Sequence, residues 1–126
     1  MSRVFAILGA VAYFAWGGLH LLAAGKSYLF AADMEAGLVQ GRLFQASFYV
    51  AAFALAAIVI ALGFNWRNSP TGYWINLLTV SAADIPFVLF IVLPGHMSGP
   101  EALLGPSLWL TGVACSTIAL LTRRPK

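Results

Sequence analysis

An acid and an imidazole are the two side-chain types here most able to move a proton. Asp84 stands in Val80-Ser81-Ala82-Ala83-Asp84-Ile85-Pro86-Phe87-Val88-Leu89-Phe90, with no other charged side chain between Arg67 and His96. His20 stands in a second apolar stretch, Gly17-Gly18-Leu19-His20-Leu21-Leu22. A carboxyl that gives or takes a proton while an imidazole does the reverse is the minimal equipment for general acid–base chemistry. Placing an acid at bilayer depth costs at least ~2.5–3.5 kcal/mol on insertion scales, so such groups face a protein interior or a watery cavity. Asp84 therefore calls for a scaffold that encloses it.

Composition indicates what that scaffold is. The chain has 126 residues, 61% hydrophobic and only 9% charged, where soluble domains carry about 25% charged residues. A soluble fold of this make-up would expose large apolar patches. The apolar runs, 4–24, 43–63, 73–93 and 105–122, each approach the ~20 residues that cross a ~30 Å hydrocarbon core. The expected fold is all-α: an integral membrane antiparallel four-helix bundle in one domain. The seven Lys and Arg residues give a net charge of +3 without a basic run, which argues against nucleic acid as a partner. The one cysteine, Cys115, excludes an intramolecular disulfide and a cysteine metal knuckle. The first run is longer than a signal-peptide core and has Leu22 where a small residue precedes cleavage, so it reads as a retained helix.

Punctuation marks the helix ends. Ser69-Pro70 is an N-cap with proline at the first helical position; Pro94-Gly95 closes the third helix and Gly105-Pro106 opens the fourth. Trp66, Tyr73 and Trp74 suit one membrane boundary and Trp109 the other. Arg3, Arg67, Arg123, Arg124 and Lys126 fall on one side, Lys26 and Arg42 on the other. The positive-inside rule then puts both termini in the cytoplasm of a bacterial inner membrane, with loops 25–42 and 94–104 outside. Loop 25–42 contains Tyr28-Leu29-Phe30, which suggests a segment lying in the interface or acting as a lid.

Membrane helices associate through small and polar residues. The expected seams are Ala6, Ala10, Tyr13, Gly17, His20 and Ala24 on the first helix, and Gln45, Tyr49, Ala52 and Ala56 on the second. Tyr73, Leu77, Val80, Asp84 and Phe87 form the third, and Ser107, Thr111, Ala114 and Thr117 the fourth. At ~1.5 Å per residue, His20 lies ~6 Å and Asp84 ~13 Å below the outer boundary, close enough to meet directly or through water. Pro86 has no N–H for the Ala82 carbonyl and should kink the helix beside the acid. The expected site is a pocket in the outer half, with Asp84 and His20 as the proton-transfer pair, Gln45 beside them and Arg42 at its mouth. Tyr13 and Phe87, with Phe48 and Phe90, contact the apolar body of a ligand.

Each residue also has a plainer role. Asp84, His20 and Gln45 would serve as interhelical glue, and Arg42 as an interface anchor. His20, His96, Asp84 and Glu101 lack the spacing of a metal site, and a bis-histidine haem has no better support, so no metal or cofactor is expected. Three functions fit this pattern. One is binding, and conversion by isomerisation, cyclisation or hydration, of a small amphipathic or lipophilic molecule. The second is proton-coupled transport or conduction by a homodimer. The third is a non-catalytic accessory subunit, which would show polar and small residues on a lipid-facing arc. Hydrolase, nucleotide-binding and zinc-protease motifs are absent.

Overall fold

The computed structural model describes residues 1–123; Arg124 and Lys126, counted above for topology, lie outside the described residues. Four helices carry the fold: α1 (Ser2–Ala32), α2 (Leu38–Gly63), α3 (Pro70–Phe87) and α4 (Pro100–Leu121). A 3-10 turn, Asn65–Arg67, joins α2 to α3, and a π-helical segment, Val88–Val92, prolongs α3. All four are long and apolar enough to cross a membrane. No strand occurs among the described residues.

Contacts run in a ring. α1 packs most extensively on α2 and α4, and α3 completes the ring by touching both of these. α1 and α4 run in opposite directions: Gly9 lies against Ser116, and His20 against Gly105. The close approaches use absent side chains. A Cβ on Gly9 would stand 3.0 Å from the Ser116 nitrogen, and one on Gly17 would stand 2.8 Å from the Ala54 carbonyl oxygen. Small residues therefore bring the backbones together, as expected where the surroundings are as apolar as the interior. The middle is filled by Tyr13, Trp16 and Val80, all fully buried, with Ala10, Ala57 and Ala61 around them.

Two seams follow the expected lines and two do not. On α1, Ala6, Ala10, Tyr13, Gly17 and Ala24 are buried and His20 is half-buried; on α3, Val80 and Asp84 are buried. On α2 the buried arc is instead Ser47, Ala54, Ala57 and Ala61, while Gln45, Tyr49, Ala52 and Ala56 are exposed. On α4 it is Ala102, Gly105, Gly112, Ser116 and Ala119, while Ser107, Thr111 and Ala114 face outward. Both helices carry small residues on more than one face, so small size alone does not select the packed one.

The helix ends also differ in part. Ser69 caps α3 as expected, its hydroxyl accepting from the Gly72 N–H, with Pro70 next. α4 starts earlier, at Pro100 behind Gly99 (φ +80°), and Pro106 lies inside it. Pro94-Gly95 lies just beyond α3 and its π-helical extension. Much of the supposed interfacial loop is helix: α1 runs on to Ala32 and α2 begins at Leu38, leaving residues 33–37 as the turn. Gln40 holds that turn by donating to the carbonyls of Ala31 and Met34. Pro86 lies inside α3, and the winding changes only beyond it. The Leu93 N–H reaches the Val88 carbonyl, five residues back, as in a π-helical turn. The segment then closes on Gly95 (φ +79°), with the His96 N–H on the Ile91 carbonyl and the Gly95 N–H on that of Val92. Trp109 is turned inward and donates to Ser81 at 2.9 Å.

Candidate functional site

The acid and the imidazole meet across the ring. Asp84 is fully buried on α3, and its Oδ1 lies 3.6 Å from Nε2 of His20 on α1. The other carboxyl oxygen, Oδ2, accepts the indole N–H of Trp16 at 2.8 Å. Trp16 and His20 are one helical turn apart on α1, so their rings lie on the same face. They stack with centroids 3.9 Å apart and an interplanar angle of 23°. The same turn fixes the imidazole a second way, because His20 Nδ1 lies 2.9 Å from the Trp16 carbonyl oxygen.

That last contact decides the proton arrangement. A carbonyl oxygen only accepts, so Nδ1 carries a hydrogen and donates it. Nε2 is then the nitrogen presented to Asp84. If both Nε2 and Oδ1 lacked a proton, two electron-rich atoms would face each other in a dry interior. A proton on either atom would remove that repulsion. At 3.6 Å the two atoms lie beyond direct hydrogen-bond length, and Oδ1 is one of two buried side-chain atoms without a hydrogen-bond partner among the described residues.

Gly105 on α4 gives the pair its space. A Cβ there would stand 3.2 Å from His20 Cε1 and 3.9 Å from Asp84 Oδ1. Above the imidazole a cavity of about 450 Å3 opens between α1, α4, the end of α3 and Val50 of α2, with His20, Gly105 and Phe87 in its wall. Leu22, Ala23 and Leu104, all exposed, form its sides, and Lys26 and Glu101 stand at the end nearest the connecting turns. His20, with 17% of its side chain exposed, thus stands between the cavity and the fully enclosed Asp84.

Of the six residues expected at the site, the structure brings together Asp84, His20 and Phe87. Tyr13 lies deeper. It is fully buried, its ring packs where Gly112 has no side chain, and its hydroxyl is 3.5 Å from Ser116 Oγ. Arg42 and Gln45 are elsewhere, on the exposed arc of α2. There Arg42 donates to Gln45 Oε1 at 3.0 Å and Gln45 donates to Tyr49 OH at 2.7 Å. The rotation of α2 that buries Ser47 and Ala54 turns this row outward. Phe48 and Phe90, expected with them, are both exposed away from the cavity wall.

Sequence reasoning did not bring Trp16, Gly105 or Lys26 to the site, and it weighed Glu101 beside His20 and Asp84 only as a metal ligand. Trp16 had a usable signal, since it lies four residues before His20 on the same face and its N–H needs a partner when buried. Gly105 had none beyond being small. Lys26 and Glu101 come together only through the pairing of α1 with α4.

A second polar cluster lies near the other end. Asn76, fully buried, donates to Asn65 Oδ1 at 2.9 Å and to the Ala57 carbonyl at 3.2 Å. No group of three or more His, Cys, Asp or Glu side chains converges among the described residues. No protein-family model, curated protein or solved structure matches the chain.

Proposed function

We propose that this chain is an integral membrane antiparallel four-helix bundle that binds a small amphipathic or lipophilic molecule in the cavity above His20, and that the His20–Asp84 pair serves acid–base conversion of it. The observation that carries this reading is the enclosed carboxyl. One oxygen is committed to Trp16, the other faces an imidazole, and that imidazole borders a cavity with mostly apolar walls. Ligand sites commonly combine an apolar lining with a few fixed polar groups. His20 is the group that would touch the ligand, and Asp84 would hold or return the proton behind it. The belt of exposed leucine, valine and phenylalanine on all four helices supports a bilayer as the surrounding solvent. The excess of Lys and Arg at the end carrying the N-terminus and Arg67 supports a cytoplasmic location for that end, in a bacterial inner membrane, with the cavity on the outer side.

Binding is favoured over transport by the closed middle of the bundle, where Tyr13, Trp16 and Val80 leave no exposed surface. The test is mass spectrometry of compounds retained after gentle detergent extraction, comparing the wild type with Ala23→Trp. Ala23 is an exposed wall residue, so the indole fills the cavity without disturbing packed neighbours. A lipophile retained by the wild type and lost from Ala23→Trp is expected. Equal retention by both, or none by either, would overturn the reading.

A further inference from the structure

Two opposite charges share the mouth of the cavity, Lys26 on α1 and Glu101 in the first turn of α4. Both are exposed, and among the described residues neither has an ion-pair partner; the sole pair is that of His20 with Asp84. Depth along the helices orders the cavity. Lys26 is six residues beyond His20, about 9 Å along α1, and Glu101 is four residues before Gly105, about 6 Å along α4. The charges therefore stand one to two turns above the imidazole, with Leu22, Ala23 and Leu104 between. Those side walls are themselves exposed, so the cavity opens sideways toward the surroundings of the bundle as well as at its end.

From this arrangement, and resting on the binding role proposed above, we infer that the ligand is a zwitterionic amphiphile. Its phosphate or other anionic group meets Lys26, its ammonium meets Glu101, and its apolar body descends between α1 and α4 toward His20. Complementarity favours this head over the alternatives. A purely anionic head satisfies Lys26 but is repelled by Glu101, and a cationic head meets the reverse. A neutral head leaves both charges without a partner. A zwitterion satisfies both, through one charge-assisted hydrogen bond to each. An amphiphile already in a bilayer leaflet would reach the site laterally, with its head at the level of the two charges.

The experiment is native mass spectrometry of the full-length chain in detergent, titrated separately with phosphatidylethanolamine, phosphatidylglycerol and diacylglycerol. The zwitterionic lipid should bind about tenfold more tightly than phosphatidylglycerol, the loss expected when one charge-assisted hydrogen bond is missing, and more tightly still than diacylglycerol, which supplies neither contact. Glu101→Gln should bring phosphatidylglycerol level with phosphatidylethanolamine, and Lys26→Gln should weaken both while leaving diacylglycerol unchanged. Both substitutions are at exposed positions, and circular dichroism checks that the helices persist. Soluble phosphoethanolamine distinguishes the source: failure to compete identifies a membrane lipid, and competition at lipid-like concentrations identifies a free zwitterion. Equal binding of the three lipids, insensitive to both rim substitutions but abolished by Ala23→Trp, would overturn the headgroup assignment while leaving the cavity's binding role intact. Binding insensitive to Ala23→Trp as well would remove both.

Discussion

At the scale of single residues, Trp16 is the side chain that makes Asp84 tolerable. Its indole donates to Oδ2 and stacks on His20, and its backbone carbonyl accepts from Nδ1. Trp16→Phe keeps an aromatic ring but removes the N–H, and some buried volume with it, leaving the buried acid without its one hydrogen-bond donor. The expected cost is about 1–3 kcal/mol of stability, measurable as an earlier transition in denaturant titration of the detergent-solubilised protein. Asp84→Asn keeps the shape and removes the ionisable proton. If the pair serves catalysis, this variant stays folded and still retains the ligand but no longer converts it. An Asn variant that turns over normally would remove Asp84 from the chemistry. Asp84 was legible in the sequence because a lone acid in an apolar run is costly wherever it sits. Its indole partner was legible only in part: the four-residue spacing from His20 was a signal, but a tryptophan in such a run is equally at home in a core or at an interface.

The elements hold these residues by close backbone approach rather than by large interdigitating side chains. Gly112 shows the margin: a Cβ there would stand 2.7 Å from Tyr13 Cε1, inside van der Waals contact. Gly112→Val should push α4 from α1 or expel the Tyr13 ring. The cost is about 1–3 kcal/mol, as for other overpacked sites, read as a lowered thermal midpoint. Gly18, with open space around it, takes alanine without such a loss. The contrast between the two glycines tests whether the α1–α4 seam is where the structure has it. The α1 seam was readable because its small residues recur on one face and bracket a histidine. The α2 and α4 seams were not, since Ala52 and Ala56 offer the same small surface as Ala54 and Ala57. Similarly, Gly99-Pro100 and Gly105-Pro106 are equivalent helix starts to the eye, and the chain uses the first.

For the whole molecule, the reading rests on a bilayer surrounding the apolar exterior and on the cavity opening outward. Orientation is testable with single cysteines in a Cys115→Ala background. Ser98→Cys, in the connection after α3, should react with a membrane-impermeant maleimide on intact cells. Thr71→Cys, at the start of α3, should react only after permeabilisation. The opposite pattern would turn the cavity toward the cytoplasm and reverse the source of its ligand. The exposed row of Arg42, Gln45 and Tyr49 also belongs to this scale. Polar and small side chains on an outward arc were the expected mark of an accessory subunit, and α2 (Gln45, Tyr49, Ala52, Ala56) and α4 (Ser107, Thr111, Ala114) carry such arcs, with Arg42, Gln45 and Tyr49 bonded to one another along α2.

What the chain's composition and order determined was an all-helical architecture with four apolar helices and one costly acid, because hydrophobic length and the energy of burying a carboxyl act on each segment independently. Which faces pack, and so which polar groups assemble, was decided only in three dimensions. When solvent and interior are equally apolar, hydropathy no longer marks an inside, and the rotation of each helix is settled by where backbones can approach most closely. That rotation carried Gln45 away from the imidazole, and it placed Trp16, Gly105, Lys26 and Glu101 around it.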